Sequence, residues 1–286
     1  MALVAPMIGG TLEVDWESLA KLIEWHIDQS TSAVVAVGTT GESSTLSVSE
    51  HGKVIEFIVK RINGRIPVIA GTGANATAEA IDLTQAAKDV GADACLLVTP
   101  YYNKPTQKGL LQHYLAVANA VDVNQILYNV PGRTACDLLP ETIIELSTVD
   151  NIVGVKEATG DLLRVKKLLS GCVPGFAVYS GDDVTACELM LMGGHGDISV
   201  TANVAPRLMS DMCAAALKGD SDRAREIDYL LGGLHECLFV EANPIPVKWA
   251  LSRMGMINNV LRLPMTELEA ENYEKIESAL SAASVI

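Results

Sequence analysis

The chain has 286 residues, of which 49% are hydrophobic and 20% charged, enough for one large barrel domain or two ordinary ones and too apolar for disorder. Asp and Glu number 35 against 21 Lys and Arg, and the net charge of −14 argues against nucleic-acid partners because it repels phosphate backbones. No apolar run could span a bilayer, and the amino terminus carries neither a basic nor an Arg-rich leader, so a cytoplasmic protein with no membrane attachment is expected.

In chain order, short β-type runs alternate with longer helical patterns. The runs are Ala2–Met7, Ala33–Val37, Pro67–Gly71, Ala94–Thr99, Gln125–Val130, Ile152–Glu157, Phe176–Gly181 and Asp197–Val200. Most are continuously apolar, as parallel strands covered on both faces should be. Helical periodicity fills the intervals at Asp15–Gln29, Ser49–Arg61, Ala78–Val90, Lys108–Val121 and Asp182–Met192. Eight strands with interleaved helices predict an α/β fold, a (β/α)8 TIM barrel over residues 1–219. From Asp220 the strand signal stops, and Ser221–Phe239, Pro246–Met254 and Thr266–Ala282 predict a helical region over 220–286.

The six cysteines form no C-x-x-C pair, and the five histidines form no H-x-H or H-x-x-x-H pair, so no metal site is expected and the thiols are read as reduced. Cys95, within an apolar run, is read as a small hydrophobe. Gly71-Thr72-Gly73-Ala74-Asn75 is glycine-rich but matches no phosphate-binding fingerprint, and reads as a rim loop.

In such barrels the reactive groups gather where strands end. The second expected strand ends in Gly38-Thr39-Thr40-Gly41-Glu42, the fourth in Thr99-Pro100-Tyr101-Tyr102-Asn103, the sixth in Gly154-Val155-Lys156-Glu157 and the seventh in Ser180-Gly181-Asp182-Asp183. The fifth holds Tyr128 and is followed by Gly132-Arg133-Thr134. Lys156 closes a strand that should be buried, where an unpaired ammonium is costly and the free amine, a nucleophile, is favoured. Period-two alternation puts Gly154 on its face, leaving room beside the lysine stem. The bland alternative is a salt bridge from Lys156 to Glu157 or Asp182. For Tyr128 it is a core tyrosine with its hydroxyl bonded, and for the Gly-Thr-Thr-Gly loop an ordinary turn. An amine, a proton-carrying hydroxyl and a cradle of hydroxyls and N–H groups for a small carboxylate are together what Schiff-base chemistry needs.

The run Ala36-Val37-Gly38-Thr39-Thr40-Gly41-Glu42-Ser43, with Glu50 downstream, resembles the first signature of the dihydrodipicolinate synthase/N-acetylneuraminate lyase family. Tyr128-Asn129-Val130-Pro131-Gly132-Arg133-Thr134, followed by Gly154-Val155-Lys156-Glu157-Ala158, resembles its second. Stretches at 71–77, 99–103, 193–203 and 243–249 extend the likeness along nearly the whole chain. The resemblance implies a lyase working through a covalent imine with no other cofactor: Lys156 joins the ketone of pyruvate and Tyr128 is the general acid/base. Thr39 links Tyr128 to Tyr102 in a proton relay, with Tyr102 entering from a neighbouring subunit. Thr40 holds the pyruvate carboxylate, Arg133 that of L-aspartate 4-semialdehyde, and Gly181 and Ile198 line the pyruvate pocket. The implied reaction yields 4-hydroxy-tetrahydrodipicolinate, the committed step toward lysine and diaminopimelate, in a homotetramer built as a dimer of dimers. An allosteric L-lysine pocket would fall at Ser43, Ser44, His51, Asn75, Glu79 and Tyr101, with Val48 where sensitive relatives often carry histidine. Members usually carry several more residues ahead of Ala2, which implies a short first strand.

The nearest rival is another aldolase of the family, an N-acetylneuraminate lyase or a 2-keto-3-deoxy sugar acid aldolase. Arg133 and Gly-Thr-Thr-Gly, rather than the Gly-Ser-Thr-Gly common in sialic acid lyases, favour a short acidic aldehyde. A silent scaffold barrel is the rival from another class, and the presence of Lys156, Tyr128 and Thr39 together speaks against it.

Overall fold

The computed structural model describes residues 1–286. Seven strands, β1 (Val34–Ala36), β2 (Val68–Gly71), β3 (Ala94–Val98), β4 (Asn124–Asn129), β5 (Ile152–Glu157), β6 (Ala177–Ser180) and β7 (Gly196–Asp197), pair in parallel in sequence order. Sequence neighbours thus become sheet neighbours, as one repeated right-handed βα step requires.

The sheet is closed by the amino-terminal segment. Ala2 bridges Val35 in parallel, Leu3 N donates to Val35 O at 3.1 Å, and Ala2 N donates to Ser199 O at 2.9 Å on the other side. The eighth strand expected at Ala2–Met7 is therefore a single bridge rather than a ladder. Beyond Leu3 the backbone leaves the sheet: Val4 N donates to the Asn203 side chain at 3.2 Å, and Met7 pairs antiparallel with Val14. The last strand is likewise shorter than the expected Asp197–Val200, because Val200 N and Thr201 N turn to the Asp183 carboxylate, at 3.0 and 2.9 Å.

Around the strands lie α1 (Trp16–Asp28), α2 (Val48–Ile62), α3 (Thr77–Asp89), α4 (Gln107–Ala120), the short α5 (Pro131–Thr134), α6 (Pro140–Leu146), α7 (Leu162–Gly171), α8 (Asp183–Leu191) and α9 (Pro206–Leu217). Helix α2 shows why they form. Ser47 and Glu50 make a capping box at its start, Asn63 takes a left-handed conformation at its end, and Val54, Ile55, Ile58 and Ile62 line one buried face. After α9 come α10 (Ser221–Cys237), α11 (Ile245–Arg253) and α12 (Tyr273–Ala282). The helix expected from Thr266 starts only at Tyr273, after a 3-10 turn at Ala270–Asn272.

One core of 69 buried residues fills the space between strands and helices. A smaller cluster inside the barrel gathers Ala2, Val35, Ala94, Leu96, Ile126, Tyr128, Val130 and Ile198.

Candidate active site

At the carboxyl ends of the strands a cavity of about 220 Å³ is lined by Thr39, Thr40, Tyr128, Arg133, Lys156, Gly181 and Asn243, among others. Six of the residues expected at the rim, from four separate strand ends, therefore meet in one place.

Lys156 and Tyr128 face each other because of a local irregularity. Gln125 pairs with Ile152, yet Ile126 pairs with Gly154, so one extra residue bulges out of β5 and the register then runs Tyr128 to Lys156. A one-residue shift sends every later side chain to the other face. Without the bulge, Lys156 would sit beside Asn129. With it, Lys156 Nζ lies 4.3 Å from the centroid of the Tyr128 ring.

The room for the lysine stem comes from a different glycine than expected. A Cβ on Gly154 would meet Ala177 O at 2.7 Å, so Gly154 allows β6 to approach the bulge. A Cβ on Gly181 would instead meet Lys156 Cε at 2.6 Å and Cγ at 2.9 Å. The period-two argument missed this because it compares residues along one strand, whereas the crowding lies across two.

The salt-bridge alternative for Lys156 is not what forms. Glu157 points to the other face, where Arg164 Nε donates to its carboxylate at 2.8 Å, with Asn129 and Thr159 N adding bonds. Burial pushes the Glu157 carboxyl up, against the opposing pull of Arg164. Asp182 accepts from Thr185 Oγ1 at 2.7 Å. Lys156, only 6% exposed, is left with no ion pair or hydrogen bond inside the chain while bordering the cavity. Tyr128 also borders it, in contrast with Tyr114, a core tyrosine whose hydroxyl donates to Leu97 O at 3.3 Å.

Thr40 is buried and its Oγ1 accepts from Asn243 Nδ2 at 3.0 Å. Arg133, in α5, donates from Nη2 to Asn243 O at 3.3 Å. Sequence reasoning gave Asn243 no role. Its signals were the Asn-Pro step between two helical patterns and its place at the head of the family-like stretch 243–249, neither of which names a chemical task until the fold brings it to the rim.

Two expected residues stand apart from the cavity. Ile198 packs in the inner cluster with Tyr128 and borders a second cavity of about 320 Å³ that also includes Ala33 and Gly196, nearer the amino-terminal ends of the strands. Tyr102 is 89% exposed. Of the six residues expected to hold lysine, four lie near one another: Asn75 Nδ2 donates to Tyr101 O at 3.3 Å, His51 contacts Gly71 O at 2.7 Å, and the Glu79 charge acts on both His51 and Tyr101. Ser43 and Ser44 lie in the adjacent 3-10 turn, Ser43–Thr45.

The model of the Dihydrodipicolinate synthetase family matches residues 1–283. The chain belongs to this family. A 4-hydroxy-tetrahydrodipicolinate synthase of Pseudomonas savastanoi pv. phaseolicola is 61% identical over 286 residues, covering all of this chain and 98% of the relative. The enzyme of the same name from Pseudomonas aeruginosa is 59% identical over the same coverage. Among solved structures, the chloride-inhibited dihydrodipicolinate synthase of Acinetobacter baumannii, complexed with pyruvate, superposes with a TM-score of 0.98 at 57% identity, covering 100% of this chain and 98% of that one. The family member from Cyanidioschyzon merolae, with lysine bound, gives 0.96 at 37% identity, covering 100% and 97%. Within the family, these full-length relatives bear the synthase's name and not that of a sugar-acid aldolase. No helix is long and apolar enough to cross a membrane.

Proposed function

We infer that the chain is a lyase that condenses pyruvate with L-aspartate 4-semialdehyde to 4-hydroxy-tetrahydrodipicolinate, on the path to lysine and diaminopimelate. The observation that carries this reading is the unpartnered amine of Lys156 beside Tyr128 in the strand-end cavity, in a chain 61% identical to a synthase of that name.

Each group has a chemical task. The Lys156 amine adds to the ketone carbon of pyruvate, and Tyr128 gives a proton to the carbinolamine oxygen, which leaves as water. The resulting imine draws electrons from the methyl group, which loses a proton to form an enamine. The enamine carbon attacks the aldehyde of the second substrate. That substrate's own amine then displaces Lys156, closing the ring and freeing the lysine for another turn. The lysine itself is the electron sink, so the scheme calls for no separate cofactor.

Thr40 holds the pyruvate carboxylate and Arg133 that of the semialdehyde, whose negative charges an overall acidic protein must neutralise locally. Thr39 carries protons between Tyr128 and Tyr102 of a neighbouring copy. Gly181 shapes the pyruvate side of the site, and Ile198, outside the cavity, acts on it only through its packing in the cluster that holds Tyr128. The exposure of Tyr102 is consistent with a tight dimer in which a second copy covers it; the pairing of such dimers into a homotetramer is what the family resemblance implies. Feedback by L-lysine is assigned to the cluster of Ser43, Ser44, His51, Asn75, Glu79 and Tyr101.

Borohydride reduction in the presence of pyruvate tests the reading. Irreversible labelling on Lys156, lost in Lys156→Arg because a guanidinium stays protonated, is expected. An adduct on Lys104 or Lys248 would overturn it.

A further inference from the structure

We propose that Asn243 is a positioning residue that turns the Thr40 hydroxyl into a donor aimed at the carboxylate of the keto-acid substrate. This deepens the function proposed above and rests on it.

Asn243 lies outside the barrel strands, in the turn between α10 and α11, yet it is 4% exposed and lines the same cavity as Lys156. Its side-chain Nδ2 donates to Thr40 Oγ1 at 3.0 Å. A threonine hydroxyl has one proton and two acceptor lone pairs. Asn243 occupies an acceptor position, and no atom of the chain accepts the Thr40 proton. That proton is left for whatever enters the cavity, and a carboxylate is the acceptor that rewards it most. Were Asn243 unable to donate, nothing would hold that lone pair in place, and the hydroxyl could turn it toward the anion instead.

The backbone of the same residue performs a separate job, since Asn243 O accepts from Arg133 Nη2 at 3.3 Å. One residue thus touches both groups assigned to substrate carboxylates, the first by its side chain and the second by its main chain. Side-chain substitution should separate the two.

Steady-state kinetics on the full-length enzyme, with pyruvate and L-aspartate 4-semialdehyde, make the test. Asn243→Leu, similar in shape but without a donor, should raise the KM for pyruvate about tenfold or more, the usual range for a hydrogen bond to a charged group. The KM for the semialdehyde should stay within about twofold, because the carbonyl holding Arg133 remains. Asn243→Ala is a second variant if leucine does not fit, and thermal unfolding identifies which is folded. Thr40→Val should show the same pyruvate-specific defect, and adding Asn243→Ala to it should cost less than about twofold more, as coupled residues do. Equal rises in both KM values, or full additivity with Thr40→Val, would overturn the proposal and make Asn243 a purely structural residue. Borohydride trapping of the unaltered enzyme runs alongside. No labelling there defeats the parent reading, whereas normal labelling with an unchanged pyruvate KM in the variants defeats only this one.

Discussion

The ammonium of Lys248 and the carboxylate of Glu42 form an ion pair shut away from solvent, with side-chain exposures of 0% and 1%. Lys248 Nζ also donates to Ala5 O at 3.0 Å, and the other Glu42 oxygen accepts from Arg262 N at 3.3 Å. Glu42 ends the loop carrying Thr39 and Thr40, and it takes a left-handed φ of 55° that a non-glycine residue adopts only under constraint. The pair therefore fastens α11 to the loop. Lys248→Ala, which strands a buried carboxylate, should lower the unfolding free energy by about 3–5 kcal/mol in guanidinium titrations. Lys248→Met combined with Glu42→Gln should lose much less than the sum of the single changes. Simple additivity would show that the two groups are not coupled.

Gly181→Ala places a methyl group 2.6 Å from Lys156 Cε and 2.8 Å from Ala158 Cβ. The lysine stem must shift, and a small displacement of a nucleophile can lower rates on the order of a hundredfold. The rate of pyruvate-dependent borohydride labelling should fall at least tenfold, as about 1–3 kcal/mol of overpacking strain also appears in the melting curve. An unchanged labelling rate would mean that Gly181 does not shape the site.

Tyr102 combines 89% exposure with a left-handed φ of 75°, an uncommon conformation for a bulky residue and one that costs about 1–3 kcal/mol. A neighbouring copy that receives its side chain would account for both. Mixed dimers of Tyr102→Phe and Lys156→Ala, each inactive alone, should recover part of the activity because some hold one intact site. Proven subunit exchange without recovery would remove Tyr102 from the partner's relay.

In the proposed lysine site, Val48 is 65% exposed and offers no hydrogen-bond acceptor where a histidine would. Weak inhibition by L-lysine is expected, strengthened in Val48→His by about 1.5–3 kcal/mol if the new ring meets the ammonium. Calorimetry should show binding that Glu79→Ala abolishes. Binding indifferent to Glu79 would place the ligand elsewhere.

His26 is fully buried in α1, with Nδ1 3.3 Å from Thr31 Oγ1 and Nε2 unpartnered. Burial, with a smaller push from the positive amino terminus, pulls its imidazole down to about 3 from 6.5. The unfolded chain takes up a proton near 6.5 and the folded chain does not, so stability is present above that value and drains as pH falls toward 3. The slope is about 1.4 kcal/mol per unit, or roughly 2 kcal/mol between pH 6.5 and 5. Guanidinium unfolding at pH 7, 6 and 5 should show the decline, flattened in His26→Asn. An equal decline in the variant would assign it to other groups.

The strands of the middle of the barrel were legible because residues 94–98, 126–128 and 152–155 are largely buried and read as short apolar runs. The ends of the barrel were not, because Asn203 and Asp183 side chains take the hydrogen bonds that a strand would have made. Lys156 was conspicuous for its charge in an apolar strand. Lys248 stands in an equally apolar setting and has the opposite fate. Only the arrival of Glu42 from 206 residues away tells a paired ammonium from a free one. The bulge before Gly154 had only one faint signal, the glycine itself, which inside a strand often accompanies a bulge but does not say that the register slips.

The bridge of Ala2 to Val35 and Ser199 has a consequence for biosynthesis. Asn203 fastens the same segment, donating to Ala2 O at 2.7 Å. A ribosome adds ~5–20 residues per second, so the segment Ala2–Ala5 waits roughly 10–40 s for the chain about 200 residues later that covers it. During that interval this apolar segment is uncovered, and the sheet it will complete has two open edges. Chaperone capture should therefore concentrate on nascent chains shorter than about 200 residues and cease once the seventh strand and the turn after it have emerged.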